Sequence, residues 1–215
     1  GYGPEAQAAS LLGFLVWDLC MGTMTATTQM IHNEAQEGTL EAILISSITP
    51  TSLAFLRISA VFARQFIETF LLGGILTLIL GVVIPLNGAA LLVFLLTILA
   101  VAGVGLALGG LALVYKNIAS VVGVVGLLAL FLTGAVLPLN DLGFLFELLK
   151  YILPTTWGIE ALRLTTLGGI PFVELVYDGT LLGLTGQAIL FLIIGINLFR
   201  WGFSRAQQEG RLGSY

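Results

Sequence analysis

Charge is scarce in this sequence: 9% of its 215 residues are Asp, Glu, Lys or Arg, where a soluble domain carries roughly a quarter. That shortage excludes a large water-soluble catalytic domain. Eight basic residues against twelve acidic ones leave no cationic excess for nucleic acid. One cysteine, Cys20, beside one histidine, His32, cannot form an intrachain disulfide or a His/Cys metal centre. Packing or interface roles are the simplest for both. The two lysines, Lys116 and Lys150, neither follow glycine nor precede Ser or Thr, so the chain has no phosphate-cradling P-loop. It has no GxSxG elbow either, so we expect no enzyme activity of its own. The chain starts at Gly1, and no basic n-region with a cleavage site precedes the first apolar run. We therefore expect a fragment or processed chain with an upstream segment.

Apolar residues are abundant: 58% of positions, with a mean hydropathy of +1.06. That composition belongs in a bilayer, and the length accommodates five or six spans of about 20 residues each. We expect one all-α membrane domain over 1–215, with spans near 11–31, 65–84, 89–115, 118–138 and 181–201. The first span is interrupted by Asp18 and closed by a polar stretch starting at His32. Thr49 and Pro50 form a helix start, the Thr as N-cap and the Pro at the first helical position, and no breaker follows until Pro85. That helix is longer than a membrane is thick, so its first turns, near Arg57, are expected outside the hydrocarbon. Asn87 and Gly88 read as a tight turn. Between Pro138 and Asp178 two apolar stretches are too short to cross and read as interfacial or re-entrant helices, spanning 139–178.

The basic residues give an orientation. Arg57, Arg64, Lys116, Arg200, Arg205 and Arg211 flank one side and Lys150 and Arg163 the other, which predicts a cytoplasmic C-terminus. Trp157 and Trp201 fall where interfacial aromatic belts are expected. Gly105 and Gly109 form a GxxxG spacing that allows close helix approach, either within the chain or at a dimer seam. No internal repeat marks the two halves of a secondary carrier.

Two constellations carry candidate function. Asp18, Gly22, Thr25, Gln29 and His32 follow helical spacing and make one polar stripe. Such a stripe faces protein or water, and an intramembrane Asp is a functional candidate, so Asp18, Thr25 and Gln29 are candidates for a translocation path. Helix-to-helix hydrogen bonding is the alternative. Arg64 with Glu68 and Glu160 with Arg163 read as structural ion pairs. In the loop 33–50, Glu34, Glu37 and Glu41 recur at i, i+3 and i+7. That acidic knob suits a protein partner rather than anionic lipid headgroups; a merely solvated face is the alternative.

The run Glu34-Ala-Gln-Glu-Gly-Thr-Leu-Glu-Ala-Ile-Leu, followed by Thr49-Pro50, resembles the signature loop of the type 2 ATP-binding-cassette (ABC) exporter permeases. The stretch from Ser120 to Arg163 is similar to the same family, with Leu132-Thr-Gly-Ala-Val-Leu-Pro138, Leu153-Pro154 and Ala161-Leu-Arg163. The resemblance implies a six-span plasma-membrane permease that pairs with a second copy or a related subunit. A separate cytoplasmic ATPase, holding ATP and Mg, would drive export. It also implies that Glu34, Glu37, Gly38, Thr39, Leu40, Glu41 and Pro50 belong to a coupling helix and its flanks. Leu139 to Thr166 would then be an extracellular re-entrant hairpin. On this resemblance we expect the family's N-terminal amphipathic helix and first span to be absent from this sequence, a departure from the family pattern. The alternatives from the residues alone are a proton-coupled carrier using Asp18, or a membrane scaffold recruiting a soluble partner through the acidic loop.

Overall fold

The computed structural model describes residues 4–36, 50–85, 87–115, 118–132, 153, 155–170 and 172–208. These residues form helices α1 (Pro4–Gln36), α2 (Pro50–Leu80), α3 (Gly88–Val114), α4 (Ile118–Leu132), α5 (Thr156–Thr166), α6 (Phe172–Tyr177) and α7 (Thr180–Gln208). The architecture is an all-α membrane protein. Four stretches are long and apolar enough to cross a bilayer: Ala6–Glu34, Leu56–Leu80, Gly88–Val114 and Thr180–Gln208. Ile118–Phe131 is a shorter apolar helix, the described part of the expected span 118–138.

Several boundaries differ from the sequence reading. α1 and α7 extend past 11–31 and 181–201, because their polar ends continue the helical hydrogen bonding beyond the apolar window. α2 begins at Pro50 as expected but ends at Leu80, before Pro85. Gly81 takes φ 65°, and the Val82 N–H bonds the Thr77 carbonyl at 3.2 Å. That is a Schellman C-cap, and a left-handed glycine stopped the helix before proline had to. Asn87 is not a turn residue. Its Oδ1 accepts from the Ala90 N–H at 2.7 Å and caps α3, while its Nδ2 donates to the Thr165 carbonyl at 2.8 Å and ties α5 to the start of α3.

α3 is the hub, packing along α7 and also against α1, α2, α4 and α5. Its seam with α7 is built on glycine. A Cβ at Gly103 would lie 2.4 Å from the Phe191 carbonyl carbon, one at Gly195 2.1 Å from the Gly103 carbonyl oxygen, and one at Gly202 2.0 Å from the Gly110 carbonyl oxygen. The two helices run parallel, and the glycines on each, Gly103 and Gly110 on α3 and Gly195 and Gly202 on α7, are seven positions apart. Backbone therefore touches backbone, which maximises dispersion contact where lipid gives little hydrophobic drive. Gly105 and Gly109 face the other way. A Cβ at Gly105 would meet Thr27 and Ile58, and one at Gly109 would meet Ile31. The GxxxG pair thus serves packing inside the chain.

α1 is the most enclosed span, half of its apolar window being buried against 17% for α2 and for α7. It buries Thr23, Thr27 and Thr28. Thr23 and Thr28 return their hydroxyl protons to the carbonyls of Leu19 and Met24 at 2.7 and 3.1 Å, so these two polar side chains enter the core with their donors satisfied, while the buried Thr27 hydroxyl has no hydrogen-bond partner among the described residues. Trp17 Nε1 donates to the Gly126 carbonyl at 2.8 Å and docks α4 on α1. Two apolar clusters mark the ends of the bundle. One joins Val16, Ala90, Val93, Ile159, Leu162 and Leu184; the other joins Ile31, Ile58, Leu106, Leu113, Phe199 and Phe203. The C-terminal ends of α1, α3 and α7 therefore share one side, where Arg57 also lies.

Candidate functional site

The polar stripe of α1 lies along α2, and the two helices run antiparallel. Thr69 Oγ1 donates to Asp18 Oδ2 at 2.7 Å. One turn on, the Gln65 amide covers Gly22: a Cβ there would come within 2.4 Å of its atoms, so side chain and glycine are matched across the seam. Gln65 and Thr69 are both buried. At the C-terminal end of α1 the Glu34 carboxylate pairs with the Arg57 guanidinium, about two turns into α2. Both helices thus present polar groups at four-residue intervals, and the antiparallel register brings them together.

Between these contacts the helices part around a cleft of about 500 Å³, lined by Gln29, Asn33 and Glu34 from α1 and by Ala60, Val61 and Arg64 from α2. Arg64 also holds Glu68 at 3.3 Å in an exposed i, i+4 pair. Of the sequence-predicted path residues, Asp18 sits on the seam and Gln29 in the cleft, while Thr25 is half-buried between them. Of the loop residues, Glu34 and Pro50 are described. Glu37, Gly38, Thr39, Leu40 and Glu41 lie outside the described residues. Glu34 is engaged inside the chain with Arg57.

A family model described as ABC-2 type transporter matches residues 2–167. The chain belongs to that family. It is a multi-pass membrane permease of the ABC-2 type, and the match covers α1 to α5 together with the whole loop between α1 and α2. Among curated proteins none matches this chain.

At the opposite end of the permease, α5 closes over the starts of α1, α3 and α7. Arg163 donates from Nε and Nη2 to the Ala9 carbonyl at 3.0 and 2.8 Å, a forked contact that fixes α5 to α1. Burial lowers the Arg163 pKa, and the charge of Glu160 opposes that shift. Gln187 donates to the Leu153 carbonyl at 2.9 Å and ties α7 to a residue ahead of α5. Trp157 lies over Gly183, where a Cβ would meet its ring at 3.0 Å.

Sequence reasoning missed Gln65, Thr69 and Arg57 as partners of the stripe. A signal existed, since Gln65 and Thr69 are polar, four residues apart and set in an apolar helix. The α1–α2 register that pairs them with Gly22 and Asp18 is not encoded in either helix alone.

Proposed function

We propose that this ABC-2 permease exports its substrate by alternating access, driven by ATP hydrolysis on a separate cytoplasmic ATPase that holds ATP and Mg. The loop 33–50 is the docking element, with Glu37 and Glu41 presenting acidic groups to that partner. The observation carrying this reading is the Glu34–Arg57 ion pair. It ties the last turns of α1 to the first turns of α2, on the two sides of the segment between them. A displacement of that segment then reaches both helices as one rigid body rather than dissipating in either. Differential contact with ATP-bound and ATP-free partner states would shift the inward- and outward-facing populations. On this reading the end of the bundle that carries Arg57 on α2 and Arg200 and Arg205 on α7 is cytoplasmic in the plasma membrane. A second permease copy or a related subunit completes the transporter.

Co-expression with the candidate ATPase, affinity purification and an ATPase assay test the proposal, with and without Glu37→Lys/Glu41→Lys. Stable association that the charge reversal weakens is the expected result. A folded permease that recruits no ATPase, or transport that follows the proton gradient without ATP, would overturn it in favour of a carrier using Asp18.

A further inference from the structure

The cleft between α1 and α2 ends at a single side chain. The two helices pair in one register: Thr69 faces Asp18 and the Gln65 amide faces Gly22, so a step of four residues up one helix is matched by four down the other. The same register sets Val61 against Ala26, and both line the cleft. Three levels therefore follow one another a turn apart: the cleft at Ala26 and Val61, then Gly22 under Gln65, then Asp18 with Thr69. Exposure changes between the first level and the second. In the cleft Gln29, Asn33 and Arg64 are exposed, whereas Gln65 and Thr69 keep 8% and 6% of their surface.

The Gln65 amide occupies the volume that a side chain at Gly22 would need. A Cβ there would lie 2.1 Å from its Cδ, 2.3 Å from Nε2 and 2.4 Å from Oε1. These are the end atoms of a long side chain, so rotation about its χ angles removes the contact without moving either helix. The α3–α7 seam is the opposite case, because glycine there meets backbone and no rotamer opens a gap. We propose that Gln65 is the gate of a polar path between α1 and α2. Seated on Gly22 it shuts the cleft off from Asp18; swung away, it lengthens the cleft by two turns, about 12 Å, to the Asp18–Thr69 pair. Water admitted there competes with the Thr69 hydroxyl for the Asp18 carboxylate, which frees the next turn of the seam, so the helices part from the cleft toward Asp18. Glutamine suits the task better than leucine, since its amide is hydrated once it swings into the cleft, whereas an apolar plug would lose its burial. The gate serves the alternating access proposed above and rests on that reading only for its purpose, because it is a property of two helices of this chain and does not require the ATPase.

The test is thiol accessibility of the full chain in lipid nanodiscs, with the single cysteine, buried Cys20, replaced by alanine. Thr69→Cys and, on the facing helix, Asp18→Cys report the level beyond the gate, and Ala26→Cys reports the cleft. The probe is membrane-impermeant trimethylammonioethyl methanethiosulfonate. We expect Ala26→Cys to react fast whatever stands at position 65, and Thr69→Cys and Asp18→Cys to react about tenfold faster when combined with Gln65→Ala. Gln65→Leu fills the same seat and should keep both thiols protected, which a hydrogen-bonding role for the amide would not allow. Rates at Thr69→Cys and Asp18→Cys that do not depend on position 65 would overturn the proposal. So would an equal rise at Ala26→Cys in Gln65→Ala, which marks a general loosening of the bundle in place of a gate.

Discussion

Replacing Gly202 by alanine puts one methyl group into the tightest part of the α3–α7 seam. The added Cβ would lie 2.0 Å from the Gly110 carbonyl oxygen, whereas ordinary contact begins at 3.4 Å. The obstacle is backbone, so no rotamer change relieves it, and the helices must separate by up to about 1.4 Å. Separation forfeits dispersion contacts along the seam, including those of Gly103 against Phe191 and Gly195 against Gly103. Overpacking of this kind costs about 1–3 kcal/mol, offset by up to about 1 kcal/mol because alanine is the better helix former. Gly186→Ala in the same helix is the control: no atom lies within 4 Å of its added Cβ, so only the propensity gain remains. Thermal or denaturant unfolding in detergent should show Gly202→Ala destabilised and Gly186→Ala equal to or above wild type. Equal stability of the two variants would refute the backbone-contact account of the seam.

Three further outcomes follow from named contacts. Thr69→Val, which removes the hydroxyl donor to Asp18, should cost about 1 kcal/mol in detergent unfolding, while Asp18→Asn, which keeps an acceptor oxygen for Thr69, should cost less. In a transport assay Asp18→Asn should stay active; abolished transport with intact stability would return Asp18 to the mechanism. Arg163→Ala removes two charge-assisted bonds to Ala9 and should destabilise by about 1.5–3 kcal/mol, with Arg163→Lys recovering part, as read by the same unfolding midpoint. Glu34→Arg should uncouple ATP hydrolysis from transport without releasing the ATPase, and adding Arg57→Glu should restore the ratio. Loss of ATPase association in Glu34→Arg that the double exchange does not repair would place Glu34 at the partner surface instead.

Much of this molecule was legible from hydropathy alone. Apolar runs long enough to cross a bilayer gave the spans, because in hydrocarbon a backbone must satisfy its own hydrogen bonds and a helix is the local way to do so. Pro50 at a helix start was equally legible, since its missing N–H and fixed φ are local properties. The acidic loop and the Pro/Arg pattern suggested the family, which the match over 2–167 establishes. Helix ends were less legible. Leu80 rather than Pro85 ends α2 because a glycine that adopts φ 65° competes with a proline four residues later, and sequence alone does not say which acts first.

Only the tertiary structure decided who faces whom. Asp18 could have addressed lipid, water, a second copy or another helix until the antiparallel register set Thr69 against it. Gly22 was one of 27 glycines until Gln65 filled the space where its side chain would be. Helical periodicity fixes the face a residue shares with its neighbours three and four positions away, and nothing in it fixes the rotation of one helix about another. That rotation is a balance of many weak contacts between segments far apart in the chain, so the span inventory belonged to the sequence, and the cleft, the Glu34–Arg57 clamp and the glycine seam belonged to the fold.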